Sequence, residues 1–468
     1  MSQVIKVIGP PGTGKTTYIK KQLATLHEQG VPFDTIGFFS FTRQALSAMA
    51  QKLKTPRLPP WFRTFHSFGA VVQGLDVSTI LLPGDQSTLL GNAEGLITLK
   101  TQHKALYRDF QMRLNYAVNT GKTLTQHISE LETTPFPKQD YLQLEKLQRA
   151  YQQRTGKLHF HDMLTLDFAE DLPRFKYLFI DEAQDLTNQQ IKIVRRLMTH
   201  TETTWIVGDP NQSIYGWAGN SEDWLIKFPC DKQITLEKSY RMPRKIYNYS
   251  QKIASAMHSA YSFAPVGEGG SVQLIRGLNE LPLLNGESWY ILARTRYYLE
   301  RGAQDYLDEL AVPYFLLMND TFEQEESIQA KIKGLVAYQL GLDMEVLSPE
   351  GARAIGQGLG HSAVEACRNK VPLISGSGLS IHNLRKLRAH MNKPSPHVAL
   401  GTYHSSKGLE ADNVVVLTDC TKKQAQEWEK DPITRSELCP FYVACTRAKK
   451  KLFILPGPKR NIRYGRFF

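Results

Sequence analysis

Short apolar runs alternate with helical periodicity over the first fifty residues of the chain. Residues 5–9 predict a buried strand, and a glycine-rich turn and a helix from about Lys15 follow it. Residues 34–41 predict the next strand, with a helix over 43–53 behind it. Apolar strands that alternate with helices at this spacing are typical of a parallel sheet covered on both faces.

The same pattern returns at residues 176–181 and 203–209. Residues 69–155, which lie between the two groups of strands, show helical periodicity without comparable strands. We interpret 69–155 as a mostly helical insertion into one α/β domain.

A second α/β unit begins near Ile234, and residues 289–295 and 411–419 are its most apolar strands. Residues 322–393, between these strands, are weakly patterned and predict a shorter insertion. The expected fold class is therefore α/β, with two parallel-sheet domains that are each interrupted by an insertion.

Composition narrows the class of protein only modestly. The 468 residues are 41% hydrophobic, which excludes a mostly disordered chain. Lys and Arg number 57 against 45 Asp and Glu, so the formal net charge is +12. A clustered surplus would fit a polyanionic partner, and an evenly spread one would only solubilise the surface. Charge alone leaves both interpretations open.

Five cysteines form no CxxC pair, which argues against a disulfide framework or a cysteine-rich metal site and indicates a reducing compartment. The first residues lack the features of a signal peptide, and no apolar run approaches about 18 residues. We expect a cytoplasmic protein without a membrane partner.

Residues 9–16, GPPGTGKT, satisfy the pattern GxxxxGK[ST] between an apolar strand and a helix. Glycines let backbone N–H groups surround phosphates, and the helix N-terminus adds its positive dipole end. Lys15 can reach the β- and γ-phosphates, and the Thr16 hydroxyl can hold Mg²⁺. The flanking elements argue against a chance glycine-rich turn. The predicted phosphate-binding loop consists of Gly9, Pro10, Gly12, Thr13, Gly14, Lys15, Thr16 and Thr17.

Residues 181–185, DEAQD, follow an apolar strand directly, at the edge of a parallel sheet where ligands bind. Asp181 is placed to hold Mg²⁺ through water, and Glu182 to orient or deprotonate an attacking water. The alternative is an acidic helix N-terminus, where carboxylates favour the dipole. Alone, the motif fits both equally; together with the phosphate-binding loop it favours nucleotide hydrolysis.

Eight stretches along the chain have the character of ordered motifs. The stronger ones are DEAQD, VGDPNQSIYGWAGN at 207–220, TYHSSKGLEADNVVV at 402–416 and FYVACTRAKKKL at 441–452. The weaker ones lie at 40–49, 64–68, 160–164 and 239–243. In this order they resemble the motifs of UvrD/Rep-type superfamily 1 helicases, and eight ordered motifs are far more specific than any one of them.

The resemblance implies two RecA-like domains with ATP in the cleft between them and single-stranded DNA across the top. The first core would comprise 1–68 and 156–235, with the helical insertion at 69–155. The second would comprise 236–321 and 394–468, with the short insertion at 322–393.

The resemblance also implies the roles of several nucleotide-contacting residues. Gln212 would sense the γ-phosphate, and Tyr240 would stack on the adenine. Arg241 and Arg447 would reach the γ-phosphate from the second core, where an arginine is worth roughly 10³–10⁵ in rate. Without its motif, Arg447 would be taken for an arginine on a helix surface. Further contacts to the ribose or phosphates would come from Gly408 and Glu410.

For DNA, the family stacks successive bases on aromatic side chains. The matching aromatic residues are Phe65, Tyr215 and Trp217. A single Phe or Trp is more often core than platform, although a loop position between two small residues makes Trp217 hard to bury. The other expected backbone, base-edge or phosphate contacts are Thr42, Arg43, Thr64, His66, Arg294, Arg296, Thr402 and His404.

The chain departs from the family pattern in three ways. Gln3 is the only glutamine before the phosphate-binding loop, so the family's upstream glutamine motif is not recognisable and we expect loose selectivity for the nucleotide base. Thr17 and Arg43 stand where the family usually has Arg and Asn. The short insertion at 322–393 predicts a compact motor that acts as a monomer.

The sequence therefore predicts an ATP- and Mg²⁺-dependent DNA helicase or translocase that acts on single strands and on single-strand/duplex junctions, 3′ to 5′ by resemblance. One alternative is a single-strand-stimulated ATPase that strips or loads proteins without productive unwinding. A nucleotide-hydrolysing scaffold is the alternative from another class. A small-molecule P-loop kinase is disfavoured because it needs no motifs in a second core.

Overall fold

The computed structural model describes residues 2–41, 45–46, 49, 53, 58–76, 101–159, 162–165, 172–220, 223–257, 261, 263–283, 285–309, 312, 314–317, 397–419 and 435–457. The chain divides into two compact units. Unit 1 is Met1–Arg241 with Ala254–Val266, and unit 2 is Met242–Ile253 with Gly267–Phe468.

Unit 1 is built on a parallel sheet in the order β3-β2-β4-β5-β1-β6. Its strands are β1 (Gln3–Ile8), β2 (Ile36–Phe39), β3 (Phe62–Arg63), β4 (Tyr177–Ile180), β5 (Thr203–Gly208) and β6 (Lys232–Thr235). The central strands are buried on both faces, and all four residues of β2 are buried. This burial explains why these strands are continuous apolar runs in the sequence.

Helices cover both faces of this sheet. They are α1 (Lys15–Glu28), α2 (Phe65–Val72), α6 (Asp162–Thr165), α7 (Asn188–Met198) and α8 (Trp224–Lys227). Helix α7 starts with a capping box, in which Thr187 and Gln190 each satisfy the other's backbone N–H. Its apolar face packs into the core together with β1 and β4.

The insertion consists of α3 (Thr101–Thr120), α4 (Leu124–Glu130) and α5 (Lys138–Thr155). These helices pack around Phe110, Leu124 and Tyr141, so the insertion has its own small core. Helix α5 ends at Gly156, which has a left-handed φ of 68°. Helix α2 continues past residue 68, where the sequence placed the start of the insertion.

Unit 2 contains a second parallel sheet in the order β11-β12-β10-β13-β14-β9. Two further strands, β7 (Lys238–Pro243) and β8 (Ala264–Gly267), pair with each other, and most of their residues belong to unit 1. The sheet strands are β9 (Ser271–Leu274), β10 (Trp289–Ala293), β11 (Tyr314–Leu317), β12 (Val398–Thr402), β13 (Ala411–Thr418) and β14 (Ala448–Pro456). The remaining helices are α9 (Arg244–Ala256), α10 (Arg296–Tyr298), the π-helical Leu299–Gln304, α11 (Asp305–Glu309) and α12 (Arg435–Cys445).

The two parallel sheets confirm the predicted α/β fold class. The first unit runs without interruption to Arg241, six residues beyond the boundary at 235 expected from the sequence, and it also includes Ala254–Val266. The predicted insertion at 322–393 and most of the predicted helix at 43–53 lie outside the described residues. Among the residues that the structure describes, no helix combines the length and apolar character needed to cross a bilayer.

Candidate functional site

Five strands of the first sheet end at one edge, and each leads into a segment with predicted site residues. Strand β1 leads to the phosphate-binding loop, β4 to Asp181 and β5 to Asp209. Strands β2 and β3, on the other side of β4, lead to the segments expected to contact DNA. The carboxyl edge thus carries a nucleotide half and a predicted DNA half side by side.

The phosphate-binding loop is held in place by its own backbone and by β5. The Gly9 N–H donates to the Gly208 carbonyl oxygen at 2.9 Å. Gly12 and Gly14 have φ values of 73° and 84°, which favour glycine. Lys15 Nζ donates to the Gly9 carbonyl oxygen at 3.0 Å, so the ammonium group lies over the loop.

Helix α1 begins directly after this loop, and the side chain of Thr17 is exposed on its first turn. Its N-cap residue is Gly14, which has no side chain to cap the first backbone N–H groups. Those donors, the helix dipole and the Lys15 ammonium are the groups that bind a polyphosphate. The loop geometry therefore fits a nucleoside triphosphate.

The acidic motif after β4 has a strained backbone. Glu182 has a φ of 50°, and no other non-glycine residue in the described ranges has a positive φ. Such a conformation costs about 1–3 kcal/mol and occurs preferentially at functional sites. Gln184 Nε2 donates to Glu182 Oε2 at 2.6 Å, and the Glu182 N–H donates to Asp181 Oδ1 at 3.0 Å. The two carboxylates are therefore held in fixed directions.

Asp209 and Gln184 are site residues that the sequence analysis did not assign. Burial raises the pKa of Asp209, while the Lys15 ammonium and the hydrogen bond from Gln212 oppose that shift. Gln212 Nε2 donates to Asp209 Oδ2 at 2.6 Å, and the Asp209 N–H donates to Gln184 Oε1 at 3.0 Å. These contacts join the loops after β4 and β5 into one network. The sequence signal for Asp209 was the same as for Asp181, an acid immediately after an apolar strand.

The donor chemistry of Thr16 and Asp181 fits Mg²⁺. A hydroxyl and a carboxylate are hard oxygen ligands, and Mg²⁺ bound with a nucleotide takes few protein ligands and completes its shell with phosphate oxygens and water. Such a site needs no cluster of three ligating side chains, and the described residues contain no such cluster of His, Cys, Asp or Glu.

Strand β7 lies against the phosphate-binding loop. The Tyr240 N–H donates to the Gly12 carbonyl oxygen at 2.9 Å, and Ser239 Oγ donates to that of Pro11 at 2.8 Å. The Tyr240 side chain is 72% exposed, so a planar base can reach its ring. Arg241 follows Tyr240 and belongs to the first compact unit. This corrects the expectation that Arg241 approaches from the second core. These hydrogen bonds attach β7, the strand that contains Arg241, to the phosphate-binding loop of the first unit.

The structure also corrects the expectation for Phe65. Its side chain is 2% exposed and stacks on Phe39 with ring centroids 5.1 Å apart, because the first turn of α2 packs against β2. Thr64 caps this helix by accepting the Ser67 N–H at 3.3 Å. A base cannot stack on Phe65 in this packing.

Tyr215 lies at the boundary between the nucleotide half and the DNA half. Its ring is partly buried and stacks on Phe41 with centroids 5.1 Å apart and an angle of 19°. Phe41 follows β2 and Tyr215 follows β5, so the pair links the two halves. Thr42, Arg43 and the side chain of Trp217 lie outside the described residues.

Burial lowers the pKa of His66 to about 4, so this imidazole is neutral at pH 7. In the unfolded chain this imidazole binds a proton near pH 6.5, whereas in the folded chain it does so only near pH 4. The free energy of unfolding therefore falls as the pH is lowered from 6.5 towards 4. We expect His66→Gln to reduce the loss of unfolding free energy between pH 7 and pH 5 by about 1–2 kcal/mol. Urea unfolding at both pH values measures this. His200→Gln, at an exposed position, serves as the control; an unchanged pH dependence in His66→Gln would contradict the prediction.

In unit 2, the predicted nucleotide residues lie at the amino ends of the strands. Glu410 immediately precedes β13, and Arg447 immediately precedes β14. Arg447 is 1% exposed and donates to the carbonyl oxygens of Val443 at 2.9 Å and Leu409 at 3.4 Å. It is therefore not a surface helix arginine. Its hydrogen bond to the Leu409 carbonyl oxygen stabilises the turn that contains Gly408, whose φ is 81°.

The predicted DNA residues of unit 2 lie at the opposite, carboxyl ends of β10 and β12, where Ala293 pairs with Thr402. Arg294 forms an ion pair with Glu437 at 3.2 Å, which argues against its role as a phosphate contact. Arg296 is exposed, and so is its neighbour Tyr297, at 62%. The remaining residues at this edge, Thr402 and His404, are half-buried.

Tyr297 is a candidate that the sequence analysis missed. Buried Asp419 holds the backbone beneath it, by accepting the N–H groups of Arg294 at 2.7 Å and Thr295 at 3.0 Å. The exposed ring therefore projects from a fixed turn. The signal was present in the sequence as an aromatic residue beside an arginine directly after a strand.

Comparison with known proteins gives two family matches. A family model described as the UvrD/REP helicase N-terminal domain matches residues 1–233, and one described as the UvrD-like helicase C-terminal domain matches residues 373–456. Together they cover more than half of the chain.

Curated relatives include the ATP-dependent DNA helicase Rep of Buchnera aphidicola, 26% identical over 58% of this chain and 47% of the relative. DNA helicase II of Escherichia coli K12 is 25% identical over 70% of this chain and 48% of the relative. The chain spans about half the length of these relatives. A solved structure of PRRSV helicase covers 98% of this chain and 54% of its own, at 14% identity and a TM-score of 0.37, which is too low to support a fold argument.

Proposed function

Because the chain belongs to the UvrD/Rep helicase family, we propose that it is an ATP-dependent DNA helicase or translocase. It binds single-stranded DNA and hydrolyses ATP to move along it, in the 3′ to 5′ direction, and so unwinds duplex at single-strand/duplex junctions.

One observation carries this proposal: the carboxyl edge of the first sheet joins the nucleotide groups to the predicted DNA groups through neighbouring strands. Glu182, Gln184 and Asp209 form one hydrogen-bonded network. Tyr215 stacks on Phe41 a few residues further along the same loop. A change in DNA contact at Tyr215 thus has a short covalent route to the hydrolytic network.

Each residue of the network has a distinct task in this proposal. Lys15 and the first N–H groups of α1 bind the β- and γ-phosphates. Mg²⁺, when bound, neutralises phosphate charge, and Thr16 and Asp181 would hold it. Glu182 orients the attacking water and takes its proton. Asp209 accepts a hydrogen bond from the Gln212 amide and so fixes the orientation of that amide.

Binding and displacement assays on the chain test this proposal. We expect labelled oligo(dT) to bind with an affinity that falls as salt rises, since Lys and Arg displace counterions from phosphates. Unwinding of a tailed duplex, measured beside displacement of streptavidin from a biotinylated strand, separates a helicase from an ATPase that only strips proteins. Absence of binding to single strands would reject both.

Tyr297 is expected to contribute a stacking contact at the carboxyl edge of the second sheet. Stacking on one base is worth about 1–3 kcal/mol, so Tyr297→Ala should weaken oligo(dT) binding about 5- to 150-fold, as measured by fluorescence anisotropy. Tyr297→Phe should bind like wild type because the ring is retained. Leu274→Ala, at a position of similar exposure on edge strand β9, is the control. Wild-type affinity in Tyr297→Ala would refute this contact.

A further inference from the structure

The last turn of α3, the long helix of the insertion, contacts the loop that follows β5. Asn119 Nδ2 donates to the Ala218 carbonyl oxygen at 2.7 Å. One residue further on, the Thr120 carbonyl oxygen accepts from Asn188 Nδ2 at 3.4 Å, at the start of α7. The same helix end thus contacts the 215–220 loop and the helix that follows DEAQD.

The geometry at Gly219 shows that α3 and the 215–220 loop are in close contact. Its φ is 87°, a conformation that favours glycine. A Cβ atom at this position would lie 3.0 Å from Asn119 Cβ, 3.1 Å from Thr120 Cγ2 and 3.2 Å from the Tyr116 carbonyl oxygen. Backbone conformation and available space both require glycine, so the helix end packs directly on the loop backbone.

The end of α3 is itself well defined. Gly121 has a φ of 77°, and its N–H donates to the Val118 carbonyl oxygen at 2.9 Å. The Lys122 N–H donates to that of Ala117 at 2.8 Å, which completes a Schellman motif. Asn119 is therefore presented to the loop from a rigid turn and not from a frayed helix end.

The loop, in contrast, is short and internally weak. It contains one 3₁₀ turn, Gly216–Ala218, in which the Ala218 N–H donates to the Tyr215 carbonyl oxygen at 2.8 Å. After this turn, Asn220 bridges to Thr187 at the N-cap of α7. A single turn of this kind has little stability of its own. Its conformation depends on what packs against it, and Asn119 supplies a direct hydrogen bond.

We propose that Asn119 is a positioning residue, through which the helical insertion holds the 215–220 loop in the conformation that contacts single-stranded DNA. The insertion thereby sets how much DNA is needed to stimulate ATP hydrolysis. This inference rests on the proposed function, because Tyr215 and Trp217 of this loop are predicted DNA contacts. In this role Asn119 acts through its hydrogen bond to the loop and not through contact with nucleotide or DNA.

Asn119→Asp tests the inference with an isosteric change. It removes the amide donor and places a carboxylate against the Ala218 carbonyl oxygen. The concentration of oligo(dT) that gives half-maximal ATPase stimulation should rise about three- to tenfold, while the rate without DNA stays at the wild-type value. Asn119→Ala removes the donor without adding a charge and should shift the DNA requirement in the same direction, by less.

Hydrogen exchange supplies a readout that does not depend on activity. The Ala218 and Gly219 amides should exchange faster in Asn119→Asp than in the wild type, because the turn that protects them is less well held. Met112→Ala, on the same helix at a 48% exposed position, should change neither exchange nor DNA requirement.

The outcomes separate this inference from the proposed function. If the wild type is stimulated by DNA and Asn119→Asp matches it in DNA requirement and exchange, the inference is wrong and the proposed function stands. An equal shift in Met112→Ala would overturn the role of Asn119, since any damage to the insertion would then suffice. If wild-type ATPase activity ignores DNA, the proposed function fails and this inference fails with it.

Discussion

Replacing Glu182 by glutamine is expected to slow ATP hydrolysis about 10²- to 10⁴-fold, because the amide cannot accept the proton of the attacking water. The substitution is nearly isosteric, and the amide oxygen that it introduces can still accept from Gln184 Nε2, which donates to Glu182 at 2.6 Å. ATP affinity should therefore stay close to that of the wild type. Single-turnover hydrolysis and equilibrium binding of a fluorescent ATP analogue measure the two quantities separately.

Glu202→Gln is the matched control for this prediction. Glu202 lies on the surface next to the amino end of β5, opposite the edge that carries the site, and pairs with Lys176 at 3.5 Å. The Glu202→Gln variant should hydrolyse ATP at the rate of the wild type. A rate within about tenfold of wild type in Glu182→Gln would remove Glu182 from the role of general base.

Gly12→Ala is expected to weaken ATP binding about 100-fold or more, the loss that several hydrogen bonds to phosphate would give together. The new Cβ atom would lie 2.4 Å from Arg241 Cβ and 3.0 Å from the Arg241 backbone nitrogen. Because backbone stands in the way, β7 would have to move off the loop, which breaks the hydrogen bond from the Tyr240 N–H to Gly12. Both the phosphate-binding loop and Tyr240 would then leave the positions in which they can contact the nucleotide. Titration with a fluorescent ATP analogue measures the loss.

Gly30→Ala separates backbone strain from displacement of β7. Gly30 has a φ of 78°, close to the 73° of Gly12, but a Cβ atom there meets nothing within 4 Å. The Gly30→Ala variant should lose only about 1 kcal/mol of unfolding free energy and should keep the ATP affinity of the wild type. Similar losses of ATP affinity in both variants would contradict the account of β7.

The strands of the first sheet were predictable because of where they lie. β1, β4 and β5 are buried on both faces, and a strand covered on both sides must be apolar at nearly every position. The phosphate-binding loop was predictable because its glycines and lysine follow one of these strands at a fixed spacing. Asp209 satisfies the same rule, so it could have been assigned in the same way.

The errors have a common physical cause, which is packing between residues distant in sequence. Phe65 has the residue type of a stacking platform, but its ring packs on Phe39 from another strand. Arg294 has the charge of a phosphate contact, but Glu437, 143 residues away in sequence, neutralises it. Arg241 lies in β7, a strand that hydrogen-bonds to the phosphate-binding loop. None of these partners is visible in the local pattern.

The same reasoning explains why Asn119 was not expected to matter. Asn119 lies in an insertion without family motifs, at the end of a helix whose periodicity indicates only local packing. Its contact with Ala218 spans 99 residues. A role of this kind follows from the path of the chain in three dimensions and not from the residue type.

The central claim is that ATP hydrolysis in this chain is coupled to single-stranded DNA. Steady-state ATPase activity of the wild type, with and without saturating oligo(dT) at fixed salt, tests it most directly, and Glu182→Gln measured in parallel sets the background. The account predicts a saturable stimulation of about 5- to 150-fold, the size of a coupling free energy of about 1–3 kcal/mol between two sites. Equal rates with and without DNA, well above the Glu182→Gln background, would contradict it.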